Sequence, residues 1–495
     1  MEREEWKSRY GFILAAIGSA VGLGSLWRFP YVTYENGGGT FLIMYFFALL
    51  TAGIPILILE FTVGHKFKGS APLCFYKMNK KWEWLGWWQI FISIVIAIYY
   101  AVVIAWAVSF FFYSFRLSWG ENTTAFFTDS YLKITNSPFE LDGIRYNVAL
   151  ADISVWVLTY IIILVGIKKG IELANKIMMP LLYLVIIIVV IRGLFLPGAY
   201  IGLNMLFTPD LNKFLDASAW VDAYGQVFFS LSVAFAIMMT YGSYLSKDSD
   251  IINNSFITGF MLTTFSLLSG IAVFAVVGFM TYESGGTVPE NLSGIFLAFA
   301  TIPKAINQIE PFGNIIGVFF FLAVIFAGLT SQISIVEAIV SSLIEKLNRP
   351  RKYITTIFCV IGLSASLIFT TGAGIFILDI VDHYINNFGI VFTGLIEVIL
   401  LGWFFDISSL RNYANNVSDI KVGHWWSICI KYITPLILFV TIIYNLYNEL
   451  TNLYGGYSLQ ALLYLGWSVA ILIFIFGVFT AKINWYDESI LKRYI

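Results

Sequence analysis

Charge is what this chain of 495 residues has least of. Only 12% of it is Asp, Glu, Lys or Arg, against roughly a quarter in a soluble domain, so there is too little charge to cover a globular surface. The 29 basic and 30 acidic residues leave a net charge of −1, with no signature of a nucleic-acid partner. The three histidines, His65, His383 and His424, are dispersed and offer no catalytic cluster, so no enzyme is expected. The three cysteines, Cys74, Cys359 and Cys429, lack metal-ligand spacing and read as buried thiols.

What fills the chain instead is apolar: 59% hydrophobic residues and 18% aromatics, with a mean hydropathy of +0.81. Such a chain is an integral membrane protein, with the lipid bilayer as a partner. Each crossing takes about 20 residues, so the expectation is an all-α, polytopic fold of about twelve helices. The apolar runs fall at 11–33, 41–64, 85–115, 153–167, 177–196 and 220–245, then at 251–282, 312–344, 353–370, 375–405, 428–446 and 459–479. Residues 1–9 are too charged for a signal sequence, so the first span is expected to be retained. Lys66, Lys68, Lys77, Lys80 and Lys81 lie in one loop, Lys168, Lys169 and Lys176 in a second, and Lys346, Arg349, Arg351 and Lys352 in a third. All three loops fall on the side of Arg3, Lys7 and Arg9. The positive-inside rule then makes both termini cytoplasmic in a plasma-membrane protein.

The first span is interrupted where it should be most regular. Three glycines, Gly18, Gly22 and Gly24, fall within seven residues at mid-membrane depth, and each costs a helix roughly 1 kcal/mol relative to alanine. A broken helix survives in hydrocarbon only where its freed amides and carbonyls face protein, ligand or a wet cavity. The sixth span repeats the anomaly, with Ser230, Ser232, Ala234 and Ala236 in mid-helix. Paired interruptions five helices apart point to an inverted repeat of five and five helices around a midplane site. Residues 1–196 would be the first repeat, 218–405 the second, and 428–480 would hold two added helices. The competing account is that small residues merely let helices cross closely.

The motifs themselves resemble one family over nearly the whole chain. AVGLG-x-x-x-RFP (20–30), ENGGG-x-F (35–41), GIP-x-x-x-x-E (53–60), AIYY (97–100), KKGIE (168–172), TPD (208–210), GQ-x-FFSLS (225–232) and FAGLTS (326–331) stand in family order. The sequence resembles the neurotransmitter:sodium symporters, most closely their prokaryotic amino-acid transporters. The resemblance implies a sodium-coupled symporter that imports a small or medium neutral amino acid by alternating access. Ala327, Thr330 and Ser331 have i, i+3, i+4 spacing, which stacks a carbonyl and two hydroxyls on one helix face, and the family completes a sodium shell with the carbonyls of Gly18 and Val21. The competing fate of the two hydroxyls is a bond back to their own helix. The family's other sodium site would use Ala20, Ser25, Ser230 and Leu262; leucine offers no oxygen, so this second site is expected to be weak or absent. One sodium suffices energetically. About 2.3 kcal/mol from 100 mV and about 1.4 from a tenfold gradient support roughly 500-fold accumulation of a neutral solute.

For the solute, the resemblance implies amides near Leu23 and Gly24 and the Tyr100 hydroxyl for a carboxylate, and carbonyls around Ala20, Phe229, Ser230 and Ser232 for an ammonium. Ile96, Phe229, Phe235 and Ile335 would wall the side-chain pocket, with Ser331 between it and the sodium. Amine transporters carry aspartate where Gly22 stands, so glycine favours a solute with its own carboxylate. Tyr45, Gln226, Ser230 and Ser266 resemble a chloride-binding group. Arg28 with Asp382 resembles an outer gate, and Arg3 with Glu345 an inner one, beside Trp6, Ser243 and Tyr244. A channel would need a continuous polar lining, which is missing. A sensor on the same fold, or a sodium- and chloride-dependent carrier of another small zwitterion, are the alternative readings.

Overall fold

The computed structural model describes residues 4–288, 294–309 and 311–492. Among the described residues the regular structure is helical throughout. The first crossing is two helices, α1a (Arg9–Ala20) and α1b (Gly24–Glu35), bent by 59°. There follow α2 (Gly39–Phe67), α3 (Lys80–Ser114), α4 (Tyr146–Val165) and α5 (Ile167–Leu194). The sixth is again two pieces, α6a (Ala217–Ser230) and α6b (Ile237–Ser243). Then come α7 (Ile251–Glu283), α8 (Gly313–Leu347), α9 (Arg351–Thr370), α10 (Gly374–Phe404), α11 (His424–Gly456) and α12 (Leu459–Lys482). The ten unbroken members are long and apolar enough to cross a membrane, and the bent pair α1a–α1b makes eleven such spans among the described residues; α6a and α6b, parted over 231–236, stand at the sixth place in the expected order of about twelve.

Burial separates the helices that hold the site from those that face lipid. The most apolar stretch of α3 is 72% buried, whereas that of α12 is 22% buried, and Phe476 and Phe479 of α12 lie exposed. Exposed phenylalanine is stable only against hydrocarbon, so α12 lies on the bundle's rim. The cysteines are buried thiols, as expected.

One sequence boundary needs correction. The fourth crossing starts at Tyr146, earlier than 153, because Asp152 is a fully buried helix residue whose carboxyl accepts from the Ser366 hydroxyl. The sixth run carries the break expected of it, over 231–236. The connections after α5 and α7 are not plain loops, since they carry the short helices Ala199–Phe207 and Ile302–Gln308.

Candidate binding site at two helix breaks

The break in α1 can be followed bond by bond. The amide of Val21 still reaches Ile17 O at 2.7 Å, but Gly22 N turns back to Ala20 O at 2.9 Å, and Leu23 N leaves the helix for the Tyr100 hydroxyl at 3.1 Å. Gly18 O and Ser19 O therefore lose the i+4 amides that a continuous helix would supply. The carbonyl of Val21 accepts none of the backbone bonds around the break, and the amide of Gly24, which opens α1b, donates none. A side chain would be crowded at two of these positions. A Cβ on Gly22 would lie 3.1 Å from both Ser331 Oγ and Tyr100 OH, and one on Gly18 would lie 2.3 Å from Asn175 Oδ1.

The break in α6 is held open by side chains from other helices. Ser232, Ala234 and Ala236 all take positive φ, at 55°, 68° and 73°, a conformation that costs an L-residue roughly 1–2 kcal/mol. What offsets this is a set of buried bonds. Ala234 N donates to Glu60 Oε1 at 2.6 Å, Thr393 Oγ1 donates to Ala234 O at 2.9 Å, and Ser93 Oγ donates to Phe235 O at 2.8 Å. Glu60, Ser93 and Thr393 are fully buried. The two breaks then meet, because Ser232 Oγ donates to the freed Ser19 O at 2.8 Å.

Across from them stands α8. Ser331 Oγ lies 3.1 Å from Ala327 O, 3.2 Å from Ser19 O and 3.4 Å from Gly18 O. Thr330 Oγ1 lies 3.1 Å from Ala327 O and 2.9 Å from Phe326 O. The bonds back into α8 are those that hydroxyls ordinarily make in a membrane helix. The oxygens nevertheless come from two helices, and their spacing is that of neighbouring oxygens around a hard cation held at about 2.4 Å. Gly18, Ala327, Thr330 and Ser331 are thus brought together, with Val21 in the adjoining break.

Of the residues expected to meet the solute, Tyr100, Ser232 and Ser331 bond into the α1 break. Tyr100 sits above Leu23 and Gly22, while Ile96, Phe235 and Ile335 are buried and apolar. Phe229 is partly exposed, with the Arg28 guanidinium 5.3 Å from its ring centroid. A cavity of about 60 Å³ adjoins these two residues, reaching Asn386 and Asn387 of α10 and Asn445 of α11.

The four residues of the expected anion group divide. Gln226 Nε2 donates to Ser230 Oγ at 2.9 Å, whereas the buried hydroxyls of Tyr45 and Ser266 lie beside each other and Thr263 without a well-formed hydrogen bond. Ser25 Oγ is a third such hydroxyl. Leu262 is fully buried, and Thr263 Oγ1 bonds back to Gly259 O at 3.0 Å.

Arg28 and Asp382 do not pair with each other. Arg28 donates to Gln226 Oε1 at 3.0 Å, and Asp382 Oδ1 accepts from Tyr99 OH and Asn386 Nδ2, each at 2.7 Å. The expected outer ion pair is therefore replaced by two separate polar attachments. At the opposite end Arg3 lies outside the described residues. Glu345 accepts from the Ser70 amide at 3.1 Å.

That end is sealed by residues the sequence did not single out as a group. Arg351 reaches Glu337 Oε2 at 2.7 Å and Glu4 Oε1 at 3.1 Å, and Tyr244 OH donates to Glu337 Oε1 at 2.7 Å. Trp6 fits beneath, with its ring N–H donating to Tyr241 O at 3.1 Å and its amide to Tyr244 O at 3.0 Å. One lattice of bonds thereby ties the N-terminal segment to α6b, α8 and α9.

A polytopic helical bundle, with two broken helices meeting at mid-depth and a polar pocket closed at one end, is the architecture of a membrane transporter. The chain belongs to the sodium:neurotransmitter symporter family, whose model matches residues 3–136 and 119–488. It is 40% identical to an uncharacterized sodium-dependent transporter of Methanocaldococcus jannaschii over 485 residues, 98% of each chain. It is 29% identical to the human sodium- and chloride-dependent GABA transporter 2, with 91% of this chain and 81% of that one covered. It is also 29% identical to the bovine sodium- and chloride-dependent taurine transporter, covering 95% and 83%. This is a family of sodium-dependent transporters, not of enzymes.

Proposed function

We propose that the chain is a sodium-coupled symporter that imports a small or medium neutral amino acid by alternating access. The observation that carries this reading is the convergence of the freed α1 carbonyls of Gly18 and Ser19 with Ser331 of α8, beside the free amide of Gly24. One break thus presents oxygens for a cation and, within two turns, amides for a carboxylate, the arrangement by which broken helices hold charged solutes. Gly18, Val21, Ala327, Thr330 and Ser331 hold the sodium. Leu23, Gly24 and Tyr100 hold the carboxylate, carbonyls around Ala20, Phe229, Ser230 and Ser232 the ammonium, and Ile96, Phe229, Phe235 and Ile335 the side chain. Residues 1–196 and 218–405 act as inverted repeats, with 428–480 added outside them. The lysine-rich loops place both termini in the cytoplasm of a plasma-membrane protein, so the Glu4–Arg351–Glu337 seal closes the inner side. Uptake of a full amino-acid panel into proteoliposomes, with sodium against choline outside, tests the proposal. Concentrative, sodium-dependent uptake supports it, and binding without flux would favour a sensor.

A second reading has its own support. Three buried hydroxyls that make no well-formed hydrogen bond, on Ser25, Tyr45 and Ser266, the last two beside each other, are donors suited to an anion, and the GABA and taurine relatives are by name chloride-dependent. A sodium- and chloride-dependent carrier of a small zwitterion other than an α-amino acid follows from that. Including GABA and taurine in the uptake panel separates the two.

A further inference from the structure

We propose that Asn175 of α5 belongs to the sodium site, supplying a carboxamide oxygen on its α1a side; the inference rests on the sodium reading given above. Asn175 is fully buried in a helix interior, a position where asparagine is a poor helix former. Its Nδ2 donates to Ile171 O at 2.9 Å, which sets the orientation of the amide. The other end, Oδ1, has no partner. A buried acceptor left unbonded costs on the order of 1–3 kcal/mol, so something ordinarily meets it.

The direction in which this oxygen points is defined. From the place where a Cβ on Gly18 would stand, Asn175 Oδ1 is 2.3 Å away and Thr330 Cβ 3.1 Å away. The oxygen therefore lies against two of the residues proposed to bind sodium, on a helix that the ligand set does not otherwise include. The third neighbour of that point, Met179 Sδ at 3.1 Å, has no hydrogen to give. A cation satisfies an acceptor that has no donor, and a neutral amide oxygen is among the ligands that hard cations take. Because Gly18 lies on the α1a side of the break, Asn175 is the oxygen nearest the N-terminal end of the site. It would be the ligand that stays with the ion as the ion moves toward that end.

The test is sodium binding to the purified full chain, read as thermal stabilisation on titrating sodium chloride against choline chloride. Asn175→Leu keeps the number and branching of the side-chain heavy atoms and removes the oxygen. Its half-saturating sodium concentration should rise by roughly tenfold or more, as loss of a bond to a charged group would give. Asn175→Asp restores the oxygen as a titratable acid, so its sodium affinity should stay near the wild-type value at neutral pH and fall on acidification, while the wild type shows no such fall. Thr330→Ala with Ser331→Ala serves as the reference. If that double variant loses sodium binding and Asn175→Leu does not change it, Asn175 is outside the site and the sodium reading stands. If the double variant binds sodium like the wild type, the sodium reading fails and this inference with it. Should Asn175→Leu not fold, a pH-independent sodium affinity in Asn175→Asp would overturn the proposal.

Discussion

The amide of Leu23 donates to the hydroxyl of Tyr100 across 3.1 Å, so the N–H that α1 loses at its break is held by α3 on the opposite wall of the site. The hydroxyl that receives this bond still has its own proton to give. A solute carboxylate arriving at Leu23 and Gly24 would accept a hydrogen bond from that O–H without Tyr100 having to move away.

Tyr100→Phe should therefore weaken solute binding about tenfold, since it removes a donor to a charged group and leaves the Leu23 amide unbonded, a loss of about 1–3 kcal/mol. Competition for labelled solute measures it. The sodium concentration for half-saturation should stay unchanged, and an unaltered solute affinity would remove Tyr100 from the carboxylate site.

Glu60 should matter for the shape of the site more than for its charge. Glu60→Gln retains an oxygen for the Ala234 amide and should keep most of the stability. Glu60→Leu leaves that amide buried and unbonded beside three positive-φ residues, and should lower stability by about 1–3 kcal/mol and abolish uptake. Thermal unfolding of the two variants makes the comparison; equal stability would mean that the α6 break holds itself open.

Much of this site can be read from the sequence, and the parts that cannot share one cause. The α1 break is legible because glycine spacing is a local signal, and Gly18, Gly22 and Gly24 sit where the chain bends. The i, i+3, i+4 set of Ala327, Thr330 and Ser331 is legible for the same reason. The path of the α6 break is not. Ala234 and Ala236 are among the best helix formers, and their positive φ is imposed by Glu60, Ser93 and Thr393, which are distant in sequence. Arg351 was legible only as one of a group of loop charges that sets orientation. Its pairing with Glu337 and Glu4 depends on α8 and α9 meeting the N-terminal segment, which no local pattern encodes. Asp382 was assigned to Arg28 by resemblance, and in this state Tyr99 and Asn386 hold it instead.

The seal at the N-terminal end should open when its cation is removed. Arg351→Ala leaves Glu337 fully buried with Tyr244 as its remaining bonded neighbour, and breaking a buried pair in this way costs about 3–5 kcal/mol. Hydrogen exchange at the amide of Trp6 should rise sharply. Exchange equal to the wild type would show that Trp6 and Glu345 close this end without Arg351.

Chloride offers an independent check on Ser25, Tyr45 and Ser266. If these hydroxyls receive the anion, replacing chloride with gluconate should slow uptake, and Ser266→Glu should make uptake indifferent to the replacement by supplying the charge covalently. Identical rates in both salts for the wild type would assign these hydroxyls to helix packing.

The central claim is that sodium drives transport through the oxygens of α1 and α8. Proteoliposomes with an imposed inward sodium gradient test it most directly, with solute accumulation measured for the wild type and for Thr330→Ala with Ser331→Ala. The wild type should concentrate solute with a hyperbolic sodium dependence and a reversal potential set by one sodium per solute, and the double variant should only equilibrate it. Equal accumulation by the two proteins, or accumulation by the wild type in choline, would contradict the account.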